Sequence, residues 1–347
     1  MYPTLHYMKI LIIGGTRNLG HLLVWRLVES GHQVTVFNRG MTRDELPDSV
    51  ERLHGDRTDR NALANALKDR VFDAVVDTAL YTGEEADDII HILKGHTGQY
   101  IFISSGQVYL VRESVQRPFT EAMYPGRTMP APKNGSFEYE EWLYGMGKRA
   151  AEDRLMAAHQ ERGFPVTTLR LPMVTGERDH FGRLYGYVLR LKDGGPILVP
   201  STPNHPLRHV YSGDVVSIMM QLISTGAGIG KAYNLSQEET LTLDEYLGLI
   251  GSIMGAAPQV VRVRRDKLEA QGFVPECSPF SERWMSELDN TLSKVELGAR
   301  YTPLSEYLRA TVTHLLETAP PIPMGYKRRR SEILFYEQVI GQVEIDV

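Results

Sequence analysis

The stretch KILIIGGTRNLG at residues 9–20 decides the fold of this chain. Its apolar run ends at two glycines, and an amphipathic segment at 19–30 follows, so the order predicts a buried strand, a tight turn and a helix. Gly14 and Gly20 stand six residues apart, although Arg17 takes the place of a middle glycine. A turn of this kind lets backbone amides and a helix N-terminus approach a pyrophosphate; an ordinary strand-to-helix turn is the alternative.

The same alternation of β-branched apolar runs and longer amphipathic runs continues to residue 171. It predicts strands at 9–13, 33–37, 51–54, 74–77, 100–104 and 166–171, and helices at 19–30, 60–68, 84–93 and 139–161. Gly31 is expected to end the first helix in a left-handed conformation, and Asp59 is expected to cap the second. We therefore predict an α/β fold, a Rossmann-type doubly wound parallel sheet with a smaller, discontinuous C-terminal substrate domain.

Beyond residue 171 the alternation of strands and helices ends, and only a predicted helix near 215–223 and a predicted strand near 231–235 continue it. The predicted division is a dinucleotide-binding domain at 8–174 plus about 208–236, a substrate domain at about 175–207 plus 237–319, and a C-terminal arm at 320–347. Residues 110–137 contain four prolines and are too long for a simple connector, so we predict a loop over the active site.

Composition excludes several classes of protein. The 347 residues include 38 basic and 43 acidic side chains, and the resulting formal charge of −5 disfavours a general binder of nucleic acid or anionic membranes. The basic run from Lys327 to Arg330 is interpreted as a solvated face or a partner contact. Cys277 is the only cysteine, which excludes an internal disulfide and favours a reducing, cytoplasmic setting. No apolar stretch approaches the roughly 20 residues that cross a bilayer, and the start lacks a signal-peptide pattern, so no membrane partner is expected.

The glycine turn and the end of the second predicted strand define a cofactor site. The turn residues expected to bind the cofactor are Gly14, Gly15, Thr16, Arg17, Asn18, Leu19 and Gly20. The strand leads into Asn38 and Arg39, where an NAD site would present a carboxylate to the ribose. Arg39 and Arg17 are suited to pair with a ribose 2′-phosphate, so NADP is preferred over NAD; solvated surface arginines are the alternative. Asp56 either accepts from the adenine amino group or begins a helix.

The catalytic candidates are Ser105, at the end of the fifth predicted strand, and the pair Tyr144 and Lys148. Tyr144 and Lys148 are four residues apart and so share one helix face. A free tyrosine is a poor base at neutral pH, but a neighbouring ammonium stabilises the phenolate. We assign Tyr144 as proton donor or acceptor, Lys148 as its support and a ligand of the nicotinamide ribose, and Ser105 as a hydrogen-bond donor to the reacting oxygen.

These stretches, in this order, resemble the extended or atypical branch of the short-chain dehydrogenase/reductase superfamily, the NAD(P)-dependent epimerase/dehydratase-like proteins. The matching stretches are residues 14–20, Asp56, residues 104–109, residues 144–148, residues 169–172 and residues 208–215. The resemblance implies that Pro172 lies near the nicotinamide, and that Arg208 contacts a diphosphate of the substrate unless it forms a surface ion pair. It also implies a substrate contact at Gln107.

The chain departs from the family pattern next to Ser105. Gly106 and Gln107 stand where the 4,6-dehydratases of the family carry an Asp-Glu pair, so dehydration is disfavoured. Leu110 replaces the glycine found in many sugar epimerases, which weakens a sugar-nucleotide assignment. His180, His205 and His209 lie in one stretch but lack the spacing of a zinc site, so no metal is expected.

The leading hypothesis is an NADP-dependent redox enzyme, either a carbonyl reductase or dehydrogenase or an epimerase, that acts on a sugar nucleotide or a similar polyhydroxylated compound. The sequence does not separate oxidoreductase from epimerase, because both use the same groups. The alternative is a non-catalytic NAD(P)-binding regulatory or RNA-associated protein of the same fold. The expected partners are a small-molecule substrate and, in a homodimer, a second copy of the chain.

Overall fold

The computed structural model describes residues 7–343, which fall into two compact units. The first unit consists of residues 7–172, Ser212–Ser236 and Leu288–Tyr301, and the second of Met173–Tyr211, Gln237–Glu287 and residues 302–343. The strands are β1 (Lys9–Ile13), β2 (Gln33–Asn38), β3 (Glu51–His54), β4 (Phe72–Asp77), β5 (Thr97–Ser105), β6 (Val166–Leu171), β7 (Val174–Thr175), β8 (Ile197–Pro200), β9 (Val210–Tyr211), β10 (Lys231–Asn234) and β11 (Val260–Val263). The helices are α1 (Asn18–Glu29), α2 (Arg60–Leu67), α3 (Gly83–Leu93), α4 (Gln107–Leu110), α5 (Phe137–Arg162), α6 (Arg183–Asp193), α7 (Ser212–Thr225), α8 (Leu243–Met254), α9 (Arg265–Ala270), α10 (Thr291–Leu297), α11 (Leu304–Thr318) and α12 (Arg329–Val343).

The first unit is built on one parallel sheet with strand order β10-β6-β5-β4-β1-β2-β3. This confirms the predicted Rossmann-type sheet, and the six predicted strands differ from the observed ones only at their ends. The chain order reverses between β1 and β4, and ligands of such sheets bind at the carboxyl edge beside that point. Gly14 follows β1 at this edge, and Thr78 follows β4.

Burial on both faces of the sheet explains the continuous apolar run in β1. Leu11 and Ile13 join a core with residues of α2, α3 and α5, while Ile10 and Ile12, on the opposite face by strand alternation, are equally buried. The predicted helix ends are confirmed. Asp59 accepts hydrogen bonds from two amides at the start of α2, and Gly31 has a φ of 79° after α1.

The second unit has its own core, formed by apolar residues of α6, α8 and α11. It also contains two short parallel pairs, β8 with β11 and β7 with β9. The boundaries differ from the predicted ones. Residues 173–174 and 208–211 belong to this unit, in which Val174–Thr175 of β7 pairs with Val210–Tyr211 of β9, whereas Leu288–Tyr301 belongs to the first unit.

The C-terminal segment is part of the second unit rather than an appended arm. Fully buried Arg190 on α6 donates two hydrogen bonds to the carboxylate of Glu332 on α12. Arg329 donates to both carboxylate oxygens of Asp193 at 2.7 Å and is buried, whereas Lys327, Arg328 and Arg330 are exposed, so three of the four residues in the basic run lie on a solvated face. Residues 344–347 lie outside the described part of the chain.

Residues 7–343 contain neither a candidate membrane-spanning helix nor a cluster of metal-ligating side chains. None of the helices described there is both long and apolar enough to span a bilayer. Within the same range, no three His, Cys, Asp or Glu side chains come together as ligands for a metal ion.

Candidate active site

The glycines after β1 are required by close backbone packing. A Cβ on Gly14, whose φ is +105°, would lie 2.2 Å from the Thr78 Oγ1 atom. A Cβ on Gly20 would lie 2.8 Å from the backbone nitrogen of Gly15, so there is no room for a side chain between α1 and the turn. The turn therefore forms a cradle with little side-chain bulk beside the N-terminus of α1, which fits the pyrophosphate of a dinucleotide.

The first turn of α1 leaves its amide groups without a side-chain cap. Arg17 occupies the capping position with no capping hydrogen bond, and the first turn contains no acidic residue. Thr16 and Asn18 lie in the turn itself, Asn18 with a φ of 42°, while Leu19 is buried beneath it. An uncapped helix start attracts anions through its amides and its dipole.

Two arginines, Arg17 and Arg39, lie next to the loop that follows β2. The Arg17 Nη2 atom donates to the Thr42 hydroxyl at 3.0 Å, across the loop that follows β2. Arg39 lies exposed at the start of that loop. Asn38 shapes the loop, because its Oδ1 atom accepts from the amide of Gly40 at 2.8 Å.

Asp56 follows β3 at the same edge of the sheet. Its Oδ1 atom accepts from the amide and the hydroxyl of Thr58, and these hydrogen bonds lower the pKa of Asp56. It does not cap α2, since Asp59 does so. The alternative assignment of Asp56 as a helix cap is therefore wrong, and its contact with adenine stays a prediction.

The three catalytic candidates lie on two adjacent elements of the first unit. Ser105 ends β5, and its hydroxyl accepts from the amide of Gln107 at 3.2 Å. Tyr144 and Lys148 lie one turn apart on α5, with the Lys148 Nζ atom 5.8 Å from the centre of the Tyr144 ring. Tyr144 is 37% exposed and Lys148 only 2%, so the phenol lies at the surface of the unit and the ammonium beneath it.

The buried Lys148 ammonium donates its hydrogen bonds to neutral groups. Its Nζ atom donates to the carbonyl oxygens of Leu80 at 2.7 Å and Ile103 at 2.9 Å. It also lies 4.7 Å from the ring centre of Tyr81 and 4.9 Å from that of Phe102, at cation-π distance. Burial lowers the pKa of Lys148 to about 8. The ammonium can therefore change its protonation state near physiological pH.

A buried ion cluster, which the sequence analysis missed, lies behind Lys148. The Arg57 guanidinium donates to Asp77 at 2.8 Å and to Glu85 at 2.5 Å. Fully buried Asp77 also accepts from the Tyr100 hydroxyl at 2.8 Å. These residues come from four separate elements, so no local spacing could have indicated them.

Gln107 has a carboxylate partner that was also missed. Its Nε2 atom donates to the main-chain oxygen of Glu141 at 2.8 Å and to its carboxylate at 2.6 Å. A Cβ on Gly145 would lie 3.1 Å from the Gln107 Cγ atom, so this glycine lets α4 and α5 meet. Glu141 stands three residues before Tyr144, on the same face of α5, and that spacing was the one available signal.

The two remaining candidates are Pro172 and Arg208. Pro172 is buried directly after β6, and the adjacent Leu171 carbonyl accepts from the amide of Gly106 at 2.7 Å. Arg208 belongs to the second unit, where its Nε atom donates to the main-chain oxygen of Gln237 at 2.9 Å. That contact differs from the surface ion pair considered as an alternative.

The model of the NAD dependent epimerase/dehydratase family matches residues 10–236. The chain belongs to this family. Membership confirms the resemblance found in the sequence and makes the protein an NAD(P)-dependent oxidoreductase or epimerase of the extended short-chain type. The uncapped helix and the glycine cradle fit the dinucleotide that the family binds.

Two curated proteins and one solved structure show the likeness in more detail. The chloroplast stem-loop binding protein of 41 kDa b from Arabidopsis thaliana is 28% identical over 251 residues, which are 68% of this chain and 60% of that protein. The 2-alkyl-3-oxoalkanoate reductase of Stenotrophomonas maltophilia is 27% identical over 282 residues, 72% of this chain and 76% of the reductase. The crystal structure of a UDP-glucose 4-epimerase from Thermotoga maritima, solved with UDP-glucose, superposes with a TM-score of 0.72 at 20% identity and covers 90% of this chain and 100% of the epimerase.

Proposed function

We propose that this family member is an NADP-dependent reductase that interconverts a ketone and a secondary alcohol on a sugar nucleotide or a similar polyhydroxylated compound. The observation that carries the proposal is the placement of a buried, easily deprotonated ammonium directly beneath the exposed phenol of Tyr144. This pair is arranged to hold and release a proton. Strongly perturbed pKa values of this kind cluster at catalytic sites.

The residues of the site divide the chemistry among them. When bound, the nicotinamide supplies or accepts the hydride. In the direction of reduction, the Tyr144 hydroxyl gives its proton to the carbonyl oxygen of the substrate, and the Lys148 ammonium stabilises the phenolate that is left. Ser105 donates a hydrogen bond to the same oxygen and orients it. In the direction of oxidation the phenolate takes the proton back.

The cofactor preference rests on the arginines at the end of β2. The contact between Arg17 and Thr42 holds one guanidinium over the loop that follows the strand, and Arg39 lies exposed at its start. Guanidinium groups bind phosphate through charge-assisted hydrogen bonds, and no carboxylate stands at this strand end to favour an unphosphorylated ribose. We therefore infer a preference for NADP over NAD.

A net reductase is favoured over an epimerase by the relative from Stenotrophomonas maltophilia, which is named as a reductase. The second candidate is binding of a stem-loop nucleic acid, which the match to the Arabidopsis protein favours. The net charge of −5 weakens this candidate, because stem-loops are polyanions. The cytoplasmic setting stays a prediction.

A screen of cofactor consumption tests the proposal. The purified full-length chain is mixed with NADPH or NADH and either a 2-alkyl-3-oxoalkanoate or a UDP-4-ketohexose. We expect NADPH to be consumed with at least one ketone, and deuterium from 4-deuterated NADPH to appear in the alcohol product. Failure to oxidise NADPH with any ketone, together with conversion of a UDP-hexose to its epimer by nucleotide retained on the protein, would identify an epimerase.

Two further arms of the screen address the other candidates. A UDP-hexose should give no 4-keto-6-deoxy product, because Gly106 and Gln107 do not supply an acid-base pair. A stem-loop RNA and a single strand of the same composition should bind equally weakly. Selective binding of the stem-loop without redox turnover would favour the second candidate.

A further inference from the structure

The loop after β4 holds the catalytic ammonium from one side. This segment, residues 78–82, provides the Leu80 carbonyl that accepts from Lys148 and the Tyr81 ring that lies over it. The Tyr81 ring also lies 6.2 Å from that of Tyr144. The position of the 78–82 segment therefore sets the surroundings of both members of the proton-transfer pair.

The 78–82 segment packs against α5 at the turn between Tyr144 and Lys148. A Cβ on Gly147 would lie only 2.4 Å from the main-chain oxygen of Tyr81. Next to the segment, a Cβ on Gly83 would meet the Ala150 side chain at 3.3 Å. The segment thus lies on the helix backbone itself, and a small displacement would change the contacts of Lys148.

Both ends of the segment are tied to carboxylates. The amide of Ala79 donates to the Asp77 Oδ1 atom at 2.9 Å, and the amide of Tyr81 donates to the Glu85 Oε2 atom at 2.7 Å. Arg57 joins these two carboxylates, because one of its terminal nitrogens donates to Asp77 and the other to Glu85. A planar guanidinium can bridge two carboxylates in a fixed geometry, which an ammonium cannot do.

We propose that Arg57 is a positioning residue for Lys148: by joining Asp77 to Glu85 it fixes the 78–82 segment on α5 and so holds the Leu80 carbonyl and the Tyr81 ring against the ammonium. The inference rests on the proposed function only because that function makes Lys148 a catalytic residue. Arg57 itself contacts neither Tyr144 nor Lys148 by a hydrogen bond in the described structure. It acts through the segment.

The charged groups around Lys148 make it possible to tell a displacement of the 78–82 segment from the simple loss of a charge. Asp77, Glu85 and Glu152 favour the ammonium, whereas Arg57 opposes it. Removing the Glu85 carboxylate alone would therefore lower the pKa of Lys148. Releasing the segment would instead admit water to the ammonium and raise its pKa. The direction of the shift in a Glu85→Ala variant distinguishes the two effects.

The test is an NMR titration of the full-length chain labelled with ¹³C at the lysine Cε atoms. Lys148→Met assigns the signal, and the variants are Arg57→Lys, which keeps the charge but loses the bridge, and Glu85→Ala. The matched control is Asp88→Ala, which removes a half-buried carboxylate from the same helix as Glu85 and breaks its ion pair with exposed Arg60. We expect the pKa of Lys148 to rise by about 1 pH unit in both variants and to stay unchanged in the control.

An unchanged or lowered pKa of Lys148 in the folded variants would overturn the proposal. If Arg57→Lys does not fold, Glu85→Ala decides, because it leaves Arg57 paired with Asp77 and places a good helix former in α3. The titration needs neither cofactor nor substrate. An unchanged pKa of Lys148 would therefore not contradict the proposed reductase activity. Conversely, inactivity toward ketones would not affect what the titration says about Arg57.

Discussion

Lys148 in the first unit and Arg190 in the second are both buried cations on helices, but their partners differ. Arg190 is 0% exposed and donates two hydrogen bonds to Glu332, which is itself 1% exposed. Its other hydrogen bonds in the described structure go to the carbonyl oxygens of Gly186 and Gly325. Lys148 is equally buried, yet its hydrogen bonds go only to carbonyl oxygens.

The difference shows how a structural cation is told from a chemical one. A buried guanidinium paired with a carboxylate forms a fixed ion pair, and the one between Arg190 and Glu332 joins α6 to α12. A buried ammonium with neutral acceptors has its pKa lowered by burial and can lose its proton near neutrality, as Lys148 does at about 8. Under the proposed function, the hydrogen-bond partners and not burial alone distinguish Lys148 from Arg190.

The largest expected effect is on stability, in the second unit. Glu332→Ala leaves the Arg190 charge buried without a counterion, so we expect the free energy of unfolding to fall by about 3–5 kcal/mol in urea unfolding. Glu337→Ala, which removes an exposed carboxylate from the same helix, is the control. If Glu332→Ala unfolds at the same urea concentration as the control, the pair of Arg190 and Glu332 contributes nothing to the stability of the unit.

Arg39 is a third kind of cation in this protein. It is exposed, and its proposed counterion is the 2′-phosphate of the bound cofactor. Arg39→Ala should weaken NADP binding by about 1–3 kcal/mol and leave NAD binding nearly unchanged, since only NADP carries the 2′-phosphate. Calorimetric titration of both cofactors measures this. Equal weakening of the two cofactors would show that Arg39 does not contact the phosphate.

Lys148→Met should have the smallest effect on stability and the opposite sign. The pKa of Lys148 falls from 10.5 to about 8 on folding, so below pH 8 the folded state carries the full cost of burying the ammonium. This cost fades as pH rises from 8 to 10.5. We expect the variant to gain about 1 kcal/mol at pH 7, after the loss of two hydrogen bonds, and to lose this advantage above pH 10. If Lys148→Met instead lowers the free energy of unfolding as much as Glu332→Ala does, Lys148 stabilises the fold in the same way as Arg190.

Local spacing in the sequence predicted much of the first unit. The runs at β1 and β6 and the cap at Asp59 were found because strands and helix ends leave signals within a few residues. Tyr144 and Lys148 were found for the same reason, since both lie on one helix turn. The second unit carries no repeated βα pattern, and its short strands β7, β8, β9 and β11 were not predicted.

The support of the site could not be predicted, because it is assembled from distant parts of the chain. Arg57 reaches Asp77 and Glu85 across 20 and 28 positions, and Gln107 reaches Glu141 across 34. No periodicity joins such residues. The same holds for the pair of Arg190 and Glu332. This pair fixes part of the predicted C-terminal arm in the second unit.

The pH dependence of ketone reduction in the wild type and in Tyr144→Phe tests the central claim most directly. Reduction needs a proton on the pair of Tyr144 and Lys148, so kcat of the wild type should fall above pH about 8, by about tenfold per pH unit. Tyr144→Phe should bind NADPH normally, lose about 10²–10⁴-fold in kcat and show no such fall. A variant that keeps nearly full turnover with the wild-type pH profile would contradict the account and remove Tyr144 from the mechanism.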